Sequence, residues 1–402
     1  MGLILNDLKN ACELEHVCDY VNNRTTSSMN YISTENMLPN KGGISESTII
    51  PPGTTTEYKI GDILISNIRP YFQKIWCADR CGGCSADVLC IRAKENTDSK
   101  YLYYLLSQQA FFDYVMSGAK GCKMPRGDKK QIMQWPVNIP AIDVQKKVVA
   151  ILSSLDNKIR LNRRINDNLE EQAKALFKSW FVDFEPFKGG KFVDSKLGPI
   201  PEGWSIGKVN DVVQILSGFA FKSETFVQSG PYRLITIKGV QDGYLDISGA
   251  SYISKLPLKM PAYCNLEIGD ILLSLTGNVG RVCIVDRPNL LLNQRVAKLQ
   301  PRRDKQDLLF VYILFRQNTF KNHLLQIARG TAQLNLSPVE TREISIILPP
   351  ANVLLEFSKI GQYLFDKIAL SNQETLRLSA LRDTLLPKLM SGEISVEEVS
   401  LD

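Results

Sequence analysis

The feature that most constrains this chain is an internal duplication. The string IGDILIS at Ile60–Ser66 returns as IGDILLS at Ile268–Ser274, and Pro140, which opens a long heptad stretch, returns as Pro349 opening another. The offset is about 208 residues in both places, so one unit, an irregular domain followed by a long helix, is present twice. Two copies are too few for a solenoid. Two similar units joined by two helices instead present two similar surfaces, which suits a partner with two similar faces, such as duplex DNA.

At 402 residues the chain has room for two or three domains with their own cores. Hydrophobic residues make up 44% and charged residues 22%, and runs such as Ile344–Leu348 are too short to span a bilayer. No basic segment followed by a cleavable apolar one opens the sequence, which leads us to expect a cytoplasmic protein whose nine cysteines are thiols. The net charge of +6 is mild. Residues 1–141 hold 15 Lys and Arg against 14 Asp and Glu, so nucleic-acid affinity would have to come from local basic loops.

Residues 1–141 show short apolar runs broken by Gly, Pro, Asn and Ser. DILISNI and DVLCIRA have strand lengths, while KYLYYLLSQQAFFDYVMS has helical spacing, which predicts a mixed domain. Residues 201–350 read alike: DILLSLT and RVAKLQP predict strands, and DLLFVYILFRQNTFKNHLLQIA predicts one helix. Between and after them lie predicted long helices at 142–182 and 351–392, with a Gly, Pro and Lys-rich linker at 183–200 and a tail at 393–402.

In the first helix Val148, Leu152, Leu155 and Ile159, then Leu169, Ala173, Leu176 and Trp180, follow alternating steps of four and three; Asn162 and Asn166 interrupt the series at its middle. The second helix runs Phe357, Gly361, Leu364, Ile368, then polar Ser371 and Thr375, then Leu378, Arg382, Leu385 and Leu389. Polar residues at seam positions cost stability but fix register, so the helices are expected to pair with their polar middles matched, antiparallel by preference. The alternative is that each helix packs on its own domain. A fully helical stretch of this kind spans roughly 57 Å at 1.5 Å per residue, more than the roughly 34 Å of one DNA turn. The expected fold is therefore α+β: two similar mixed domains and two long helices paired as an antiparallel coiled coil.

The strings LDNKIRLNRRINDNLEEQAKALFKSWFVDF (155–184) and LRDTLLPKLMSGEI (381–394) closely resemble the central and C-terminal conserved regions of the specificity subunit of type I restriction-modification systems. GPIPEGW (198–204), SGFAFKS (217–223) and GCKMPRGDKKQI (121–132) extend the resemblance over the whole chain. It implies a non-catalytic DNA reader in which each of two target recognition domains reads one half of a split, asymmetric site and the coiled coil sets the unread spacer. It further implies docking of two adenine methyltransferase subunits, and through them the restriction and translocase subunits. S-adenosylmethionine, ATP and Mg would then reside on those partners, with no cofactor on this chain.

The sequence has no NPPY or DPPY string, which the resemblance would associate with an adenine methyltransferase, and no G-x-x-x-x-G-K-[ST] phosphate loop. His16 and His323, the only histidines, sit in no recognisable constellation. A competing enzyme reading rests on Cys77, Cys81 and Cys84, in the C-x3-C-x2-C spacing that suits an iron–sulfur cluster, or on the same three with Cys90 as a four-thiolate zinc site. The plainer alternative is a Gly82–Gly83 turn between strands, with the cysteines as small apolar residues. A third reading is a coiled-coil scaffold that binds only protein.

Candidate DNA contacts in the first copy are Lys120, Lys123, Arg126, Lys129 and Lys130, whose charge and adjoining glycines suit phosphates, and Arg69 and Tyr71 at a loop tip, suited to bases. In the second copy Thr276, Asn278 and Arg281 occupy the equivalent loop, Arg329, Thr331 and Gln333 replace the lysine-rich loop, and Lys222 is a candidate phosphate contact. For the methyltransferase, exposed faces of the helices including Arg163, Arg164, Phe177, Trp180, Arg382 and Lys388 are the candidates. The seam pattern recurs between the helices while these loops differ, as two readers of different half-sites require.

Overall fold

The computed structural model describes residues 11–26, 30–45, 53–121, 123–247, 249–303, 307–331 and 333–399. Two compact units divide the chain. One takes residues up to 158 and those from 378 onward, and the other takes 159–377. The division falls inside both long helices, Ile142–Phe181 and Ala351–Ser391, which match the expected 142–182 and 351–392 closely.

Each helix is shared out in this way because its apolar stripe belongs to two cores. In the first unit Val148, Ile151 and Leu152 pack with Leu386, Leu389 and Met390 of the second helix and with Leu102, Phe111 and Trp135. In the second unit Ala173, Phe177 and Phe181 pack with Phe310, Phe357 and Ile368. The two expectations for the helices are therefore not exclusive: they pair with each other, and each paired stretch is built into a mixed unit. The separate domain boundaries expected at 141 and 350 are corrected accordingly.

The pairing is antiparallel, with Asp156 against Arg382 in the first unit and Asn162 and Asn166 against Glu374 and Asn372 in the second. The polar middles do match. Asn162, 2% exposed, donates to Glu374 Oε2 at 2.8 Å, Asn166 donates to Asn372 Oδ1 at 2.7 Å, and the Ser371 hydroxyl donates to the Asn162 carbonyl at 3.4 Å. A slip of either helix would leave the buried Asn162 amide unpaired, at a cost of about 1–3 kcal/mol.

Both units contain the same four-stranded antiparallel sheet. In the first the spatial order is Cys18–Tyr20, Val88–Ala93, Ile63–Ser66, Ile75–Cys77; in the second it is Val213–Ser217, Val296–Pro301, Ile271–Ser274, Val282–Ile284. The repeated strand is buried at every position because both its faces are covered. Ile63 and Ile65 face the helical core while Leu64 enters a second cluster with Tyr58 and Trp76, and Ile271 and Leu273 divide from Leu272 in the same way.

Several expectations are corrected. Gly82 and Gly83 lie in a strand, Gly82–Cys84, paired with Thr55–Tyr58, and do not form a turn. The single helix expected at 307–328 is two, Leu308–Arg316 and Asn318–Ile327, separated by extended Gln317 (φ −66°, ψ 133°). Its counterpart breaks likewise, at extended Gln108 (φ −69°, ψ 148°) between Ser99–Leu106 and Gln109–Ser117. The break turns the apolar faces of both short helices into one core, with Phe315 and Phe320 rings 4.9 Å apart. The expected linker at 183–200 is folded: Phe192–Val193 pairs with Ile200–Pro201, and Phe184 and Phe187 lie 5.4 and 5.1 Å from the Trp204 ring.

A buried ionic cluster fastens the first long helix within the second unit. Glu170 accepts from the Tyr312 hydroxyl at 2.7 Å and is ion-paired with Arg316, whose guanidinium also donates to Asp242 (3.0 Å) and to the Val282 carbonyl (3.1 Å). The Glu170 and Arg316 side chains are only 12% and 8% exposed. Burial, then the neighbouring carboxylate, holds the Tyr312 phenol well above its ordinary range, so it stays a donor.

Two outcomes are expected. Glu170→Ala, which removes the more buried of the two carboxylates paired with Arg316, should lower stability by about 3 kcal/mol in denaturant unfolding, whereas a loss under 1 kcal/mol would contradict the account. Asn162→Leu should change helix register or oligomeric state, read by spin-label distances and light scattering, more than it changes the unfolding midpoint. Unaltered distances together with an unaltered state would count against it.

Candidate nucleic-acid interface

The strand Ile63–Ser66 runs into a loop that is tied at three points. Asn67 N–H donates to the Asp87 carbonyl (2.9 Å), Arg69 N–H donates to the Pro125 carbonyl (2.8 Å), and Gly127 N–H donates to the Asn67 carbonyl (3.4 Å). Lys120 and Arg126 exchange backbone hydrogen bonds of 2.9 Å each, which closes a small hairpin. The second unit repeats the arrangement. Leu275 N–H donates to the Arg295 carbonyl (3.1 Å), Gly277 N–H to Leu334 (2.9 Å) and Leu336 N–H to Leu275 (2.7 Å), while Arg329 and Asn335 close the hairpin with bonds of 2.9 and 2.7 Å. A short helix follows each hairpin, capped by Asp128 and by Ser337.

The loop needs a left-handed residue at one position in both units. Gly277 supplies it at φ +73°, whereas Arg69 adopts φ 52°, ψ 62° with a side chain, a strained choice. The half-buried Arg69 side chain keeps its Nε buried without a hydrogen-bond partner. Tyr71, 49% exposed, packs on Phe72 with centroids 4.7 Å apart, so two rings stand at the loop tip.

The expected basic loop is divided in its engagement. Lys123, Lys129 and Lys130 are exposed. Lys120 pairs with Asp128 at 3.1 Å, and Arg126 with Asp87 at 3.2 Å. The Lys120 hydrogen bond, then the Gln131 and Lys130 amides, hold the Asp128 carboxyl below its usual range. Lys222 is exposed beside Glu224 at 3.5 Å.

In the second unit the structure corrects two expected base contacts. Thr276 is 6% exposed and its hydroxyl donates to Asn335 Oδ1 at 2.5 Å, so it braces the hairpin. Arg281 is half-buried and donates to Gln241, and Asn278, with its amide oxygen turned inward, accepts from the Arg281 guanidinium at 3.3 Å. Thr331 and Gln333 are exposed at the hairpin, and exposed Arg329 is ion-paired with Glu340. A cleft of about 470 Å³ beside the hairpin is also lined by Gln294 and Arg295, which sequence reasoning missed. Comparing the copies at the 208-residue offset would have found them, because they replace Ala86 and Asp87.

Among the expected partner contacts, Arg163 and Arg164 are exposed, and Lys388 reaches Glu393 at 3.3 Å. Phe177 is corrected: it is 4% exposed, in the core with Phe181, Phe310 and Phe357. Trp180 is half-buried against Phe187 and Phe357. Arg382 is likewise engaged internally, donating to Asp156 at 2.8 Å and to Asp383 at 2.9 Å, while Tyr104 donates to the other Asp156 oxygen at 2.7 Å. On the second long helix Ile360, Tyr363 and Leu370 are 52–63% exposed, an apolar set not anticipated.

The cysteines do not form a ligand set. Among the described residues no three of His, Cys, Asp or Glu come together as metal ligands. Cys81 is exposed while Cys84 and Cys90 are buried; burial pushes the Cys77 thiol up to about 11, and the Cys84 contact, then burial, raises Cys90. Such thiols are poor thiolate donors. Among the described residues no helix is long and apolar enough to cross a membrane.

Residues 10–171 and 201–379 each match the type I restriction modification DNA specificity domain, so the duplication is one of whole family domains. The chain is 29% identical over 314 residues to the type I restriction enzyme MjaIX specificity subunit of Methanocaldococcus jannaschii, covering 76% of this chain and 71% of that one. It is 26% identical to the HindI specificity subunit of Haemophilus influenzae, over 90% and 94% of the two. Its fold is similar to a solved type I restriction-modification S subunit from M. genitalium (TM-score 0.50, 16% identity, 97% and 98% coverage). The chain belongs to the family of type I restriction-modification specificity subunits, whose members are not themselves catalytic.

Thr276→Val should loosen the hairpin by about 1 kcal/mol, visible as faster amide exchange at Arg329 and Asn335 with the global midpoint little changed. Unchanged exchange at both amides would contradict a bracing role.

Proposed function

We propose that the chain reads a bipartite, asymmetric DNA sequence, one half with each unit, and docks two adenine methyltransferase subunits and through them the restriction and translocase subunits. The observation that carries this reading is the repeated loop-and-hairpin frame, held by the same backbone hydrogen bonds in both units but bearing different side chains: half-buried Arg69 with exposed Tyr71 and Lys123 in one, exposed Thr331, Gln333 and Arg295 in the other. Backbone bonds that ignore side-chain identity leave those side chains free to differ, which suits two readers of different half-sites. The lysines at 120, 123, 129 and 130, with Lys222, would supply phosphate contacts and a strong salt dependence.

For the methyltransferase, Ile360, Tyr363 and Leu370 offer an apolar patch on the second helix, and Arg163 and Arg164 offer charge on the first. In this reading S-adenosylmethionine, ATP and Mg belong to the partner subunits, and the complex works in the cytoplasm.

Affinity purification from the host should recover an adenine methyltransferase at about two copies per chain, and Tyr363→Glu should reduce that recovery at least tenfold while the chain stays folded. Recovery of the chain alone, with stoichiometric metal, would overturn the reading.

A further inference from the structure

We infer that Arg295 is the residue with which the second unit recognises a guanine in its half-site, an inference that rests on the DNA-reading function proposed above. Its backbone is part of the frame, because its carbonyl accepts from Leu275 N–H at 3.1 Å. Its side chain is exposed and lines the 470 Å³ cleft together with Gln294, Gln333 and Asn335.

The other arginines of this region are engaged: Arg329 pairs with Glu340 and Arg281 bonds to Gln241. Among the described residues lining the cleft, Arg295 is thus the guanidinium left without a partner. Gln294 and Gln333 are also exposed and make no side-chain hydrogen bond. A free guanidinium flanked by two free amides is a base-reading set, since the fork of arginine fits guanine O6 and N7, and a glutamine amide fits adenine N6 and N7. A phosphate-gripping site would instead gather cations.

The first unit supplies the contrast. At the equivalent place stands Asp87, whose carbonyl accepts from Asn67 N–H at 2.9 Å as that of Arg295 accepts from Leu275. The Asp87 carboxylate is paired at 3.2 Å with Arg126, and Arg126 in turn corresponds to Asn335 of the second unit. One position of a common frame therefore carries a carboxylate closed by an arginine in one reader, and an open arginine beside an asparagine in the other. A carboxylate cannot bind guanine O6 and N7, both acceptors, so Asp87 cannot make the contact that Arg295 makes.

The test is selection from a randomised double-stranded DNA library by the chain in the complex in which it purifies, comparing the wild type with Arg295→Ala and Arg295→Lys. The wild type should select a two-part motif with a guanine in one half. Arg295→Ala should lose the preference at that base alone, by about five- to 150-fold, with the other half intact, and Arg295→Lys should lose most of it because an ammonium lacks the fork. An unchanged motif in Arg295→Ala would overturn the inference. So would a uniform weakening on all sequences that Arg295→Lys restores, which marks a phosphate contact. A wild type that selects no motif would overturn the DNA-reading function itself, before any variant is compared.

Discussion

The polar layer at the middle of the helix pair is the constraint on which the rest of the structure depends. Asn162 and Asn166 find Glu374 and Asn372 only in one antiparallel register, and the apolar seams on either side follow from that choice. Leu152 then meets the core that holds Leu389, and Phe181 meets the one that holds Phe357. Apolar seams alone tolerate slips of a heptad, because one leucine layer resembles the next; buried amides that lose their partners do not. The buried Glu170–Arg316–Tyr312 cluster adds a second fixed point within its unit, of a kind that is costly to break and so specifies one arrangement.

Given those fixed cores, the frame that carries the candidate interface is a backbone construction. Strand ends at Ser66 and Ser274 lead into loops tied to a hairpin by carbonyls and amides, with a left-handed residue at the equivalent positions Arg69 and Gly277. The two units keep this frame and change what it displays. Arg69 stands where Gly277 does, Asp87 where Arg295 does, and Arg126 where Asn335 does. Divergent recognition on a conserved support is the expected outcome when function resides in loops and stability resides in strands and helices.

Much of this was legible in the sequence, and the reasons are specific. The duplication showed because a strand string and a Pro-opened heptad stretch recur at about one offset, and the helix register showed because Asn162 and Asn166 interrupt an otherwise apolar series at the same place as Ser371 and Thr375. The partners actually used, Glu374 and Asn372, lie one position from those seam residues, a detail that supercoil geometry sets and spacing does not. The breaks at Gln108 and Gln317 were hidden, since glutamine favours helix and only tertiary packing turns the chain there. Phe177 and Arg382 were read as exposed because a helical period cannot say how much of an aromatic or charged side chain the elements packed beside it in its own unit will cover. Arg295 was missed because strand and turn residues around it give no local signal; only its pairing with the loop at Leu275 brings it to the cleft.

The most direct measurement of the central claim, that both copies of the frame read DNA with different side chains, is photocrosslinking of the purified complex to a duplex bearing iodinated pyrimidines, followed by peptide mapping. The account predicts crosslinks in peptides containing residues 69–73 or 120–126 from one half of the duplex, and 294–295 or 329–335 from the other. Crosslinks confined to one unit, or falling on faces away from both hairpins, would contradict it.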